Sequence, residues 1–359
     1  MYDIVIVGAG PAGATLARLL KKDLKVMIID KRNLSTDSGF IREKCCGGLL
    51  APAAQKALAK QGLGVPLEIL ESPQTFSVKS VDVDNGLMKY YQRHYININR
   101  EKFDRWLVSL IPNSVTKDFN CIYKEYTKND SSYTISIEKE GESSLIETKV
   151  LIGADGAQSR VRMQSFNNKA MPSKYVSIQE HYKTKGNLAY YVSIFDREVT
   201  DFYSWLIQKN DELLVGTAMP ESSPTDRKFD SLILKLKKSG YIEGRPVKRT
   251  GTMIMRPGSL RQLNIRVGNI ALAGESAGLI SPSSAEGISY ALESGRLLSE
   301  ALNKNYLCFG RKYEKSLSGL KLNLLYKRIK VLLMYNKYTR GLIMKSGILS
   351  MKVGRSEND

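Results

Sequence analysis

The sequence is poor in the residues that bind metals or form disulfides. It has only two histidines, His94 and His181, and four cysteines. Cys45 and Cys46 are adjacent, and no two cysteines have the CxxC spacing that zinc sites commonly use. Adjacent cysteines are also a poor basis for a disulfide network. We therefore expect neither a metal centre nor a disulfide-stabilised fold.

Long hydrophobic runs are also absent. No segment approaches the run of ~20 apolar residues that a membrane-spanning helix requires. The N-terminus lacks a signal-peptide pattern, because Met1 is followed almost at once by the strand pattern of residues 3–7. We expect a cytoplasmic protein.

Acidic residues are in deficit. The chain has 54 lysine and arginine residues against 36 aspartate and glutamate residues, a net charge of +18. Residues 315–355 contain no acidic residue, and their basic residues alternate with leucine, isoleucine, methionine and tyrosine. A basic amphipathic helix binds anionic lipid headgroups through its charge and buries its apolar face in the interface. We therefore expect peripheral contact with the inner face of the cell membrane. The alternative is a helix that packs on the protein and leaves a solvated basic face.

Nucleic acid is not expected as a partner, because no nucleic-acid-binding fold accompanies the charge.

A glycine-rich turn lies near the N-terminus. Residues 8–13 (GAGPAG) follow a buried strand pattern and open a helix pattern. In such a turn Gly8 permits the tight bend, Gly10 lets the backbone approach a pyrophosphate, and Gly13 lets helix and strand pack closely. Asp30 ends the next strand about 20 residues later, where it can accept hydrogen bonds from a ribose. The pattern predicts a Rossmann-type site for one dinucleotide.

Only one such glycine turn occurs in the chain. An enzyme with separate FAD and NAD(P)H domains would carry two. A second substrate or reductant must therefore share the space in front of the first cofactor.

The rest of the chain alternates between two kinds of pattern. Short buried strands of the nucleotide-binding type recur at residues 150–152 and 269–273. Between them, apolar and polar residues alternate as in antiparallel strands. We predict an α/β fold in which an antiparallel β-sheet substrate domain is inserted into a single Rossmann-type domain and a helical tail follows. The predicted boundaries are 1–75, 96–170 and 256–305 for the Rossmann-type domain, 76–95 and 171–255 for the substrate domain, and 306–359 for a basic helical tail.

Three further segments are similar to the single-Rossmann FAD enzymes that include p-hydroxybenzoate hydroxylase and geranylgeranyl reductase. They are residues 153–162 (GADGAQSRVR), 99–104 (NREKFD) and 268–278 (GNIALAGESAG). The resemblance implies that the dinucleotide is FAD and that the Rossmann-type domain is an FAD-binding domain. Glu275 stands where the family usually has aspartate, and is expected to accept a hydrogen bond from a ribityl hydroxyl. Residues 285–288 fit the segment whose backbone amides face the flavin pyrimidine.

The glycine turn and the resemblance together assign a set of residues to the cofactor. These residues are Gly8, Gly10, Ala12, Gly13, Asp30, Lys31, Cys46, Gly47, Arg100, Asp155, Gly274, Glu275, Gly287 and Ile288.

Within that family the closer likeness is to the polyprenyl or geranylgeranyl reductases. Residues 44–49 (KCCGGL) resemble their K-P-C-G-G-G-L loop, and residues 203–205 (YSW) resemble the start of their Y-x-W-x-F-P strand. Residues 207–208 (IQ) replace the Phe-Pro of that strand. Tyr203 and Trp205 are two residues apart, so a strand places them on one face. There they line a tunnel for an apolar substrate or fill the core of a sheet.

The resemblance implies an FAD-dependent oxidoreductase that reduces C=C bonds of a polyprenyl or other apolar, lipid-like substrate. NAD(P)H or another electron donor would be the transient reductant. Cys46 or Tyr203 is expected to supply the proton, although a neutral thiol at Cys46 can equally be a packing residue beside the flavin. Two alternatives stay open. One is a flavin monooxygenase, which shares every cofactor motif, and the other is a flavin-binding sensor without turnover.

One motif suggests a different enzyme class. Residues 274–278 (GESAG) also satisfy the G-x-S-x-G pattern of α/β-hydrolases. That chemistry needs a histidine downstream of Ser276, and both histidines lie upstream of it. We therefore interpret Ser276 as a small residue in a flavin-binding turn.

Overall fold

The computed structural model describes residues 1–35, 45–166, 170–186 and 188–352, which form two β-sheets and nine α-helices. Lys44, the first residue of the KCCGGL loop, lies outside the described residues. The strands are β1 (Tyr2–Val7), β2 (Val26–Asp30), β3 (Leu49–Leu50), β4 (Thr75–Asp82), β5 (Leu87–Asn97), β6 (Thr116–Phe119), β7 (Cys121–Lys128), β8 (Tyr133–Lys139), β9 (Glu142–Gly153), β10 (Ser173–Lys183), β11 (Tyr191–Phe195), β12 (Ser204–Lys209), β13 (Glu212–Pro220), β14 (Lys248–Arg256), β15 (Arg266–Val267), β16 (Ile270–Leu272) and β17 (Ser350–Met351). The helices are α1 (Pro11–Leu19), α2 (Pro52–Ala59), α3 (Arg100–Ser109), α4 (Arg160–Ser165), α5 (Thr225–Lys238), α6 (Ile288–Lys304), α7 (Gly310–Ser316), α8 (Ser318–Tyr335) and α9 (Lys337–Ser346).

The first sheet is built around β1. Its strand order is β15-β16-β9-β1-β2-β6, and β7 and β8 extend it from β9. β1 pairs in parallel with both β2 and β9. The central strands are almost wholly buried, as parallel strands are when other elements cover both faces of the sheet. The carboxyl ends of these parallel strands form the edge at which nucleotides bind in open α/β sheets.

The second sheet is mostly antiparallel, with the order β14-β10-β13-β12-β11-β4-β5-β17 and β3 added to β5. Alternate residues along each strand face opposite sides. One face carries aliphatic residues that pack against α5. The other face carries Tyr175, Tyr191, Tyr203 and Trp205, which lie in a common cluster with Ala285 of the first domain.

This architecture confirms the predicted fold class. The chain has a Rossmann-type domain, an antiparallel sheet inserted into it and a helical C-terminal region. The C-terminal region is not wholly helical, because residues 350–351 form β17 on the edge of β5. An edge strand offers unpaired backbone N–H and C=O groups, and these attract the chain end into the sheet.

The C-terminal region is anchored to the second sheet by a buried ion pair. Arg340 of α9 donates to both carboxylate oxygens of Asp82 at 2.8 Å, and also to Asp84 at 2.6 Å. The side chain of Arg340 is 5% exposed and that of Asp82 is 0% exposed. α9 is therefore held against the end of β4 by charges that water does not screen.

Several apolar side chains of α8 are exposed, so the helix does not pack this apolar face on the protein as the alternative interpretation required. Leu322, Tyr326, Ile329 and Leu332 are 69%, 66%, 60% and 69% exposed, respectively. Lys327, on the opposite side, is only 17% exposed. Among the described residues, no helix is both long and apolar enough to cross a membrane.

Replacing Arg340 by alanine should destabilise the fold by about 3–5 kcal/mol, because it leaves the buried Asp82 carboxylate without its partner. Burial alone would raise the pKa of Asp82, but hydrogen bonds from Arg340 and Asn85 outweigh burial and lower it. The ion pair therefore contributes fully above the unfolded pKa of about 4 and loses its contribution as the pH falls through the lower folded pKa. Urea unfolding at pH 7 and at pH 3 measures both effects.

The exposed Lys345 of the same helix provides the control for this variant. Lys345→Ala should change the free energy of unfolding by no more than about 0.5 kcal/mol. A difference between Arg340→Ala and wild type that is equally large at both pH values would contradict the assignment.

Candidate functional site

The glycine turn after β1 has the shape that a pyrophosphate requires. Gly8 has φ +103°, and a Cβ on it would lie 2.4 Å from the Ala154 carbonyl oxygen. A Cβ on Gly13 would lie 1.8 Å from the Gly8 carbonyl oxygen. At Gly10 no atom lies within 4 Å of such a Cβ, so the turn is tightly packed on one side and open on the other. The open side faces the N-terminus of α1, where Gly10 provides no side-chain cap for the free N–H groups.

Asp30 lies next to this turn at the end of β2. Its carboxylate accepts hydrogen bonds from the backbone N–H groups of Ala9 and Arg32, both at 2.8 Å. The Arg32 guanidinium also pairs with it at 3.2 Å. Lys31, which the sequence assigned to the cofactor, is exposed to solvent. Arg32 was not predicted to be a site residue. The only indication in the sequence was its position next to Lys31.

A buried chain of alternating charges runs from Asp30 to Cys46. Arg32 pairs with Asp104 at 2.9 Å, and Arg100 pairs with the other oxygen of Asp104 at 2.9 Å. Arg100 then donates to the Cys46 sulfur at 3.4 Å. Burial opposes the charge of both guanidinium groups, but the neighbouring carboxylates outweigh burial and raise the pKa of each. The predicted residues Asp30, Arg100 and Cys46 thus lie in one network.

Asp155 lies in the turn that follows β9. One of its carboxylate oxygens accepts from the Arg160 N–H at 2.8 Å. The other, Oδ1, is buried and has no hydrogen-bond partner among the described residues. Burial raises the pKa of this carboxyl group. An unpartnered buried oxygen is costly, so the site fits a ligand that donates a hydrogen bond to it.

The turn formed by residues 274–278 packs directly on the glycine turn. A Cβ on Gly274 would lie 3.1 Å from the Ala12 Cβ. Glu275 accepts from the backbone N–H of Met255 at 2.9 Å, so one carboxylate oxygen already connects this turn to β14. Ser276 is buried and its hydroxyl lies 2.6 Å from the carbonyl oxygens of Gly153 and Ala273. A nucleophilic serine would need an exposed hydroxyl, so the flavin-turn interpretation fits better.

The segment before α6 forms a tight turn. Ser281 N–H donates to the Glu286 carbonyl, and Ala285 N–H donates to the Ser281 carbonyl, both at 3.0 Å. Ala285 has φ +51°, a left-handed conformation that is uncommon for a residue with a side chain. Gly287 is the N-cap of α6 without a side-chain cap, and Ile288 begins the helix. The first N–H groups of α6 are therefore available to an electron-rich ligand.

Two loops of the first domain contact β12 at its two ends. At one end a Cβ on Gly47 would lie 2.8 Å from the Ile207 Cδ1, and the Lys209 ammonium donates to the Gly48 carbonyl at 3.1 Å. At the other end the Tyr203 hydroxyl donates to the Ser284 carbonyl at 2.9 Å. Trp205 lies between these contacts on the same face of the strand. The space framed by the two loops and Trp205 is the candidate active site.

Lys209, which the sequence analysis did not identify, holds the loop of Gly48 at one side of the candidate active site. Its buried ammonium also donates to the Ile98 carbonyl at 2.8 Å and the Asn97 side chain at 2.6 Å, and it lies 3.3 Å from Glu71. Burial lowers the pKa of Lys209. Four oxygen neighbours compensate the buried charge and lock the Gly48 loop onto the sheet.

The aromatic side chains at the other side of the candidate active site are densely packed. The Tyr203 ring centroid lies 5.6 Å from that of Trp205 and 4.7 Å from that of Phe202. Burial raises the pKa of Tyr203 well above its ordinary value. The phenol is therefore neutral at physiological pH, and its proton is held in the hydrogen bond to Ser284.

Comparisons with known proteins agree with this geometry. The NAD(P)-binding Rossmann-like domain family matches residues 6–35. A geranylgeranyl bacteriochlorophyll reductase-like protein from Thermoplasma acidophilum has a similar structure, with a TM-score of 0.83 and 19% identity over 98% of this chain and 92% of its own. PqsL, a probable FAD-dependent monooxygenase from Pseudomonas aeruginosa, has a TM-score of 0.71 and 15% identity over 97% of this chain and 99% of its own. The chain therefore has the fold of flavin-dependent oxidoreductases.

The amino-acid sequence defines the family more narrowly. Protein CbrA of Escherichia coli O9:H4 is 38% identical over 347 residues, which are 97% of this chain and 94% of the relative. The chain belongs to the CbrA family.

Gly10→Ala should leave the fold intact and weaken FAD binding at least about tenfold, because its Cβ enters the open side of the turn where the backbone must approach a pyrophosphate. Gly13→Ala should prevent folding, because its Cβ meets backbone in the packed side. Thermal unfolding and calorimetric titration with FAD separate the two effects.

Gly64→Ala is the matched control, because a Cβ there also meets no atom within 4 Å but lies away from the turn. It should change neither stability nor FAD affinity. Unchanged FAD affinity in Gly10→Ala would place the pyrophosphate elsewhere.

Proposed function

We propose that this protein is an FAD-dependent oxidoreductase that reduces C=C bonds of a polyprenyl or other long apolar substrate. The observation that carries the proposal is the aromatic face of β12, which lies opposite two loops of the flavin-binding type. Tyr203 and Trp205 contribute buried apolar surface, and their rings lie on one side of the strand. An apolar chain gains free energy when it leaves water and packs beside such rings. The family resemblance of residues 44–49 and 203–205 supports the same reaction.

Different residues of the first domain would hold different parts of the cofactor. The glycine turn and α1 would take the pyrophosphate, Asp30 and Arg32 the ribose side, and Asp155 a donor group of the cofactor. The first N–H groups of α6, at Gly287 and Ile288, would stabilise negative charge on the ring. When bound in its reduced form, FAD supplies the hydride.

The proton would come from one of two side chains. The Tyr203 side chain is half-buried and its hydroxyl is neutral, and it lies at one end of the candidate active site. The Cys46 sulfur lies at the other end, where the Arg100 guanidinium stabilises negative charge on it after the proton leaves. NAD(P)H is the expected reductant and would have to approach the same space, since only one Rossmann-type glycine turn is present in the sequence.

Reduced, FAD-loaded protein should increase the mass of an added polyprenyl lipid by two hydrogen atoms for each reduced double bond, measured by mass spectrometry. Replacing the proton donor, by Cys46→Ser or Tyr203→Phe, should slow the reaction about 100-fold or more. Cys308→Ser changes an exposed cysteine and is the control for the thiol. A product that gains an oxygen atom while dissolved oxygen is consumed would instead establish the monooxygenase. Bound FAD that no reductant bleaches would favour a sensor.

We further propose that the enzyme works at an anionic membrane surface, which it contacts through the outward face of α8. Four large apolar side chains on that face are at least 60% exposed. Residues 315–355 contain ten lysine and arginine residues and no acidic residue, and Lys315, Arg328 and Lys345 among them are exposed, so this region carries surface charge complementary to anionic headgroups. Exposed apolar residues flanked by basic ones are typical of interfacial helices. A protein that takes an apolar substrate from a bilayer would need such contact.

The double variant Ile329→Ser/Leu332→Ser should bind phosphatidylglycerol vesicles at least about tenfold more weakly than wild type in co-sedimentation, because it removes apolar area that the interface would bury. Leu145→Ser alters a side chain that is 73% exposed on β9 and is the control. Wild-type binding should fall with added salt and be weak on phosphatidylcholine. If the double variant and Leu145→Ser bound phosphatidylglycerol vesicles equally well, docking through α8 would be refuted.

A further inference from the structure

A group that donates a proton must recover it after every turnover, and the structure provides a route for this at Cys46. The Cys46 sulfur accepts hydrogen bonds from the Arg100 guanidinium and from the Gly48 N–H, both at 3.4 Å. Cys46 also lines a cavity of about 250 Å³ that lies between the first domain and the second sheet. A cavity of this size has room for several water molecules. Water in it would reach the neighbourhood of the thiol.

The lining of this cavity suits water better than a charged ligand. Most of its residues are polar, and Gln179 of β10 is almost fully buried beside it. Apart from histidine, its charged side chains are those of Glu71, Arg100, Glu101, Lys209, Asp211, Glu212 and Lys248. Four acids against three bases leave little net charge, and Glu71 and Lys209 form a pair at 3.3 Å. Because water hydrogen-bonds to groups of both signs, we expect the cavity to be hydrated.

His181 lies at the end of the cavity that meets the surface. Its Nδ1 is 3.0 Å from a carboxylate oxygen of Glu212, and its side chain is 14% exposed. Asp211, which also lines the cavity, is 72% exposed. Histidine ordinarily gains and loses a proton near neutral pH, and a carboxylate at one ring nitrogen fixes the tautomer and orientation of the ring. A histidine held in this way can pass protons between bulk water and the interior of the cavity.

Strand β10 connects the two ends of the cavity. The sulfur of Cys45, the residue before Cys46, lies 3.9 Å from the Ser177 carbonyl oxygen. Ser177, Gln179 and His181 are alternate residues of β10 and therefore share one face of the sheet. Four residues of a strand span about 13 Å, which about four hydrogen-bonded water molecules can bridge. The thiol and the imidazole are thus joined by one polar cavity.

We propose that His181 returns a proton to Cys46 after each reduction through water in this cavity, and that Cys46 rather than Tyr203 is the proton donor. Burial raises the pKa of Tyr203, which makes its phenol a weaker acid. The role in turnover rests on the proposed function. The proton route itself rests on the cavity and on the pair of His181 and Glu212.

The transfer takes three proton steps. As hydride adds to one carbon of the double bond, the Cys46 thiol gives its proton to the other carbon and becomes a thiolate. The positive charge of Arg100 stabilises that thiolate. The His181 imidazolium then gives a proton to the water of the cavity, which protonates the sulfur, and the imidazole takes a proton from bulk solvent. Glu212 is a positioning residue, because it acts only through the orientation of His181.

The first test needs no turnover and measures the exchange of the Cys46 S–H proton in D₂O. The S–H stretching band of Cys46 is isolated as the infrared difference between the FAD-loaded protein and its Cys46→Ser variant. The rate at which this band shifts to the S–D frequency measures proton access to the sulfur. His181→Gln should slow that rate at least about tenfold, because it removes the group that transfers the proton. Added imidazole should restore the rate, whereas it would not repair a purely structural defect.

His94→Gln is the matched control, because it removes the other histidine of the chain, which is exposed on β5. It should leave the exchange rate unchanged. Glu212→Ala should slow exchange by less than His181→Gln, because it removes only the carboxylate that orients the ring. It also tests the route should thermal unfolding show that His181→Gln does not fold. An unchanged exchange rate in either folded variant would overturn the relay.

The second test separates the relay from the proposed function. In reduction of a polyprenyl lipid, His181→Gln should keep the wild-type rate in the first turnover, because Cys46 already carries its proton, and should be at least about tenfold slower in later ones. Later turnovers as fast as the first, or equal slowing of all turnovers, would overturn the role of the relay. A first turnover that Tyr203→Phe slows and Cys46→Ser does not would assign the proton to Tyr203 and overturn it too. S–H exchange that depends on His181 in a protein that reduces no lipid would refute only the proposed function.

Discussion

The buried carboxylate of Asp104 is the interaction on which the nucleotide side of the molecule depends. It is fully buried between two guanidinium groups, Arg32 and Arg100. Through them it joins the end of β2, the start of α3 and the loop of Cys46. Each charge is compensated by the next, so none can be removed without leaving its neighbour buried and unpaired. The network thereby fixes the distance between the glycine turn and the loop that frames the candidate active site.

The inserted sheet is positioned by a second set of long-range contacts. Glu275 accepts from β14, Tyr203 donates to the Ser284 turn, and Lys209 donates to the Gly48 loop. In each of these three hydrogen bonds one of the two groups belongs to the backbone. Each bond therefore depends on the path of the backbone there and not on which residue occupies that position. They hold the aromatic face at a constant separation from the loops. Such rigidity suits a site in which a cofactor and a long substrate must meet in one orientation.

The sequence predicted the parts of the structure that local rules govern. The glycine turn and the strands around residues 150–152 and 269–273 have short-range patterns. The role of Arg32 could not be predicted, because its partner Asp104 lies 72 residues away. The orientation of α8 could not be predicted from the sequence alone, because periodicity defines the two faces of a helix but does not say which face the protein covers. The buried charges at Lys327 and Lys209 depend likewise on tertiary neighbours.

The short strand β17 gives the end of the chain a protective role. Ser350 and Met351 pair with Tyr91 and Tyr90 on β5, the outermost long strand of its sheet. A bare edge of this kind can recruit strands from other molecules, which leads to aggregation. Shortening the protein before residue 350 would therefore expose that edge, and a fusion partner is better attached at the opposite terminus. These two residues cover part of an edge that would otherwise be open to strands of other molecules.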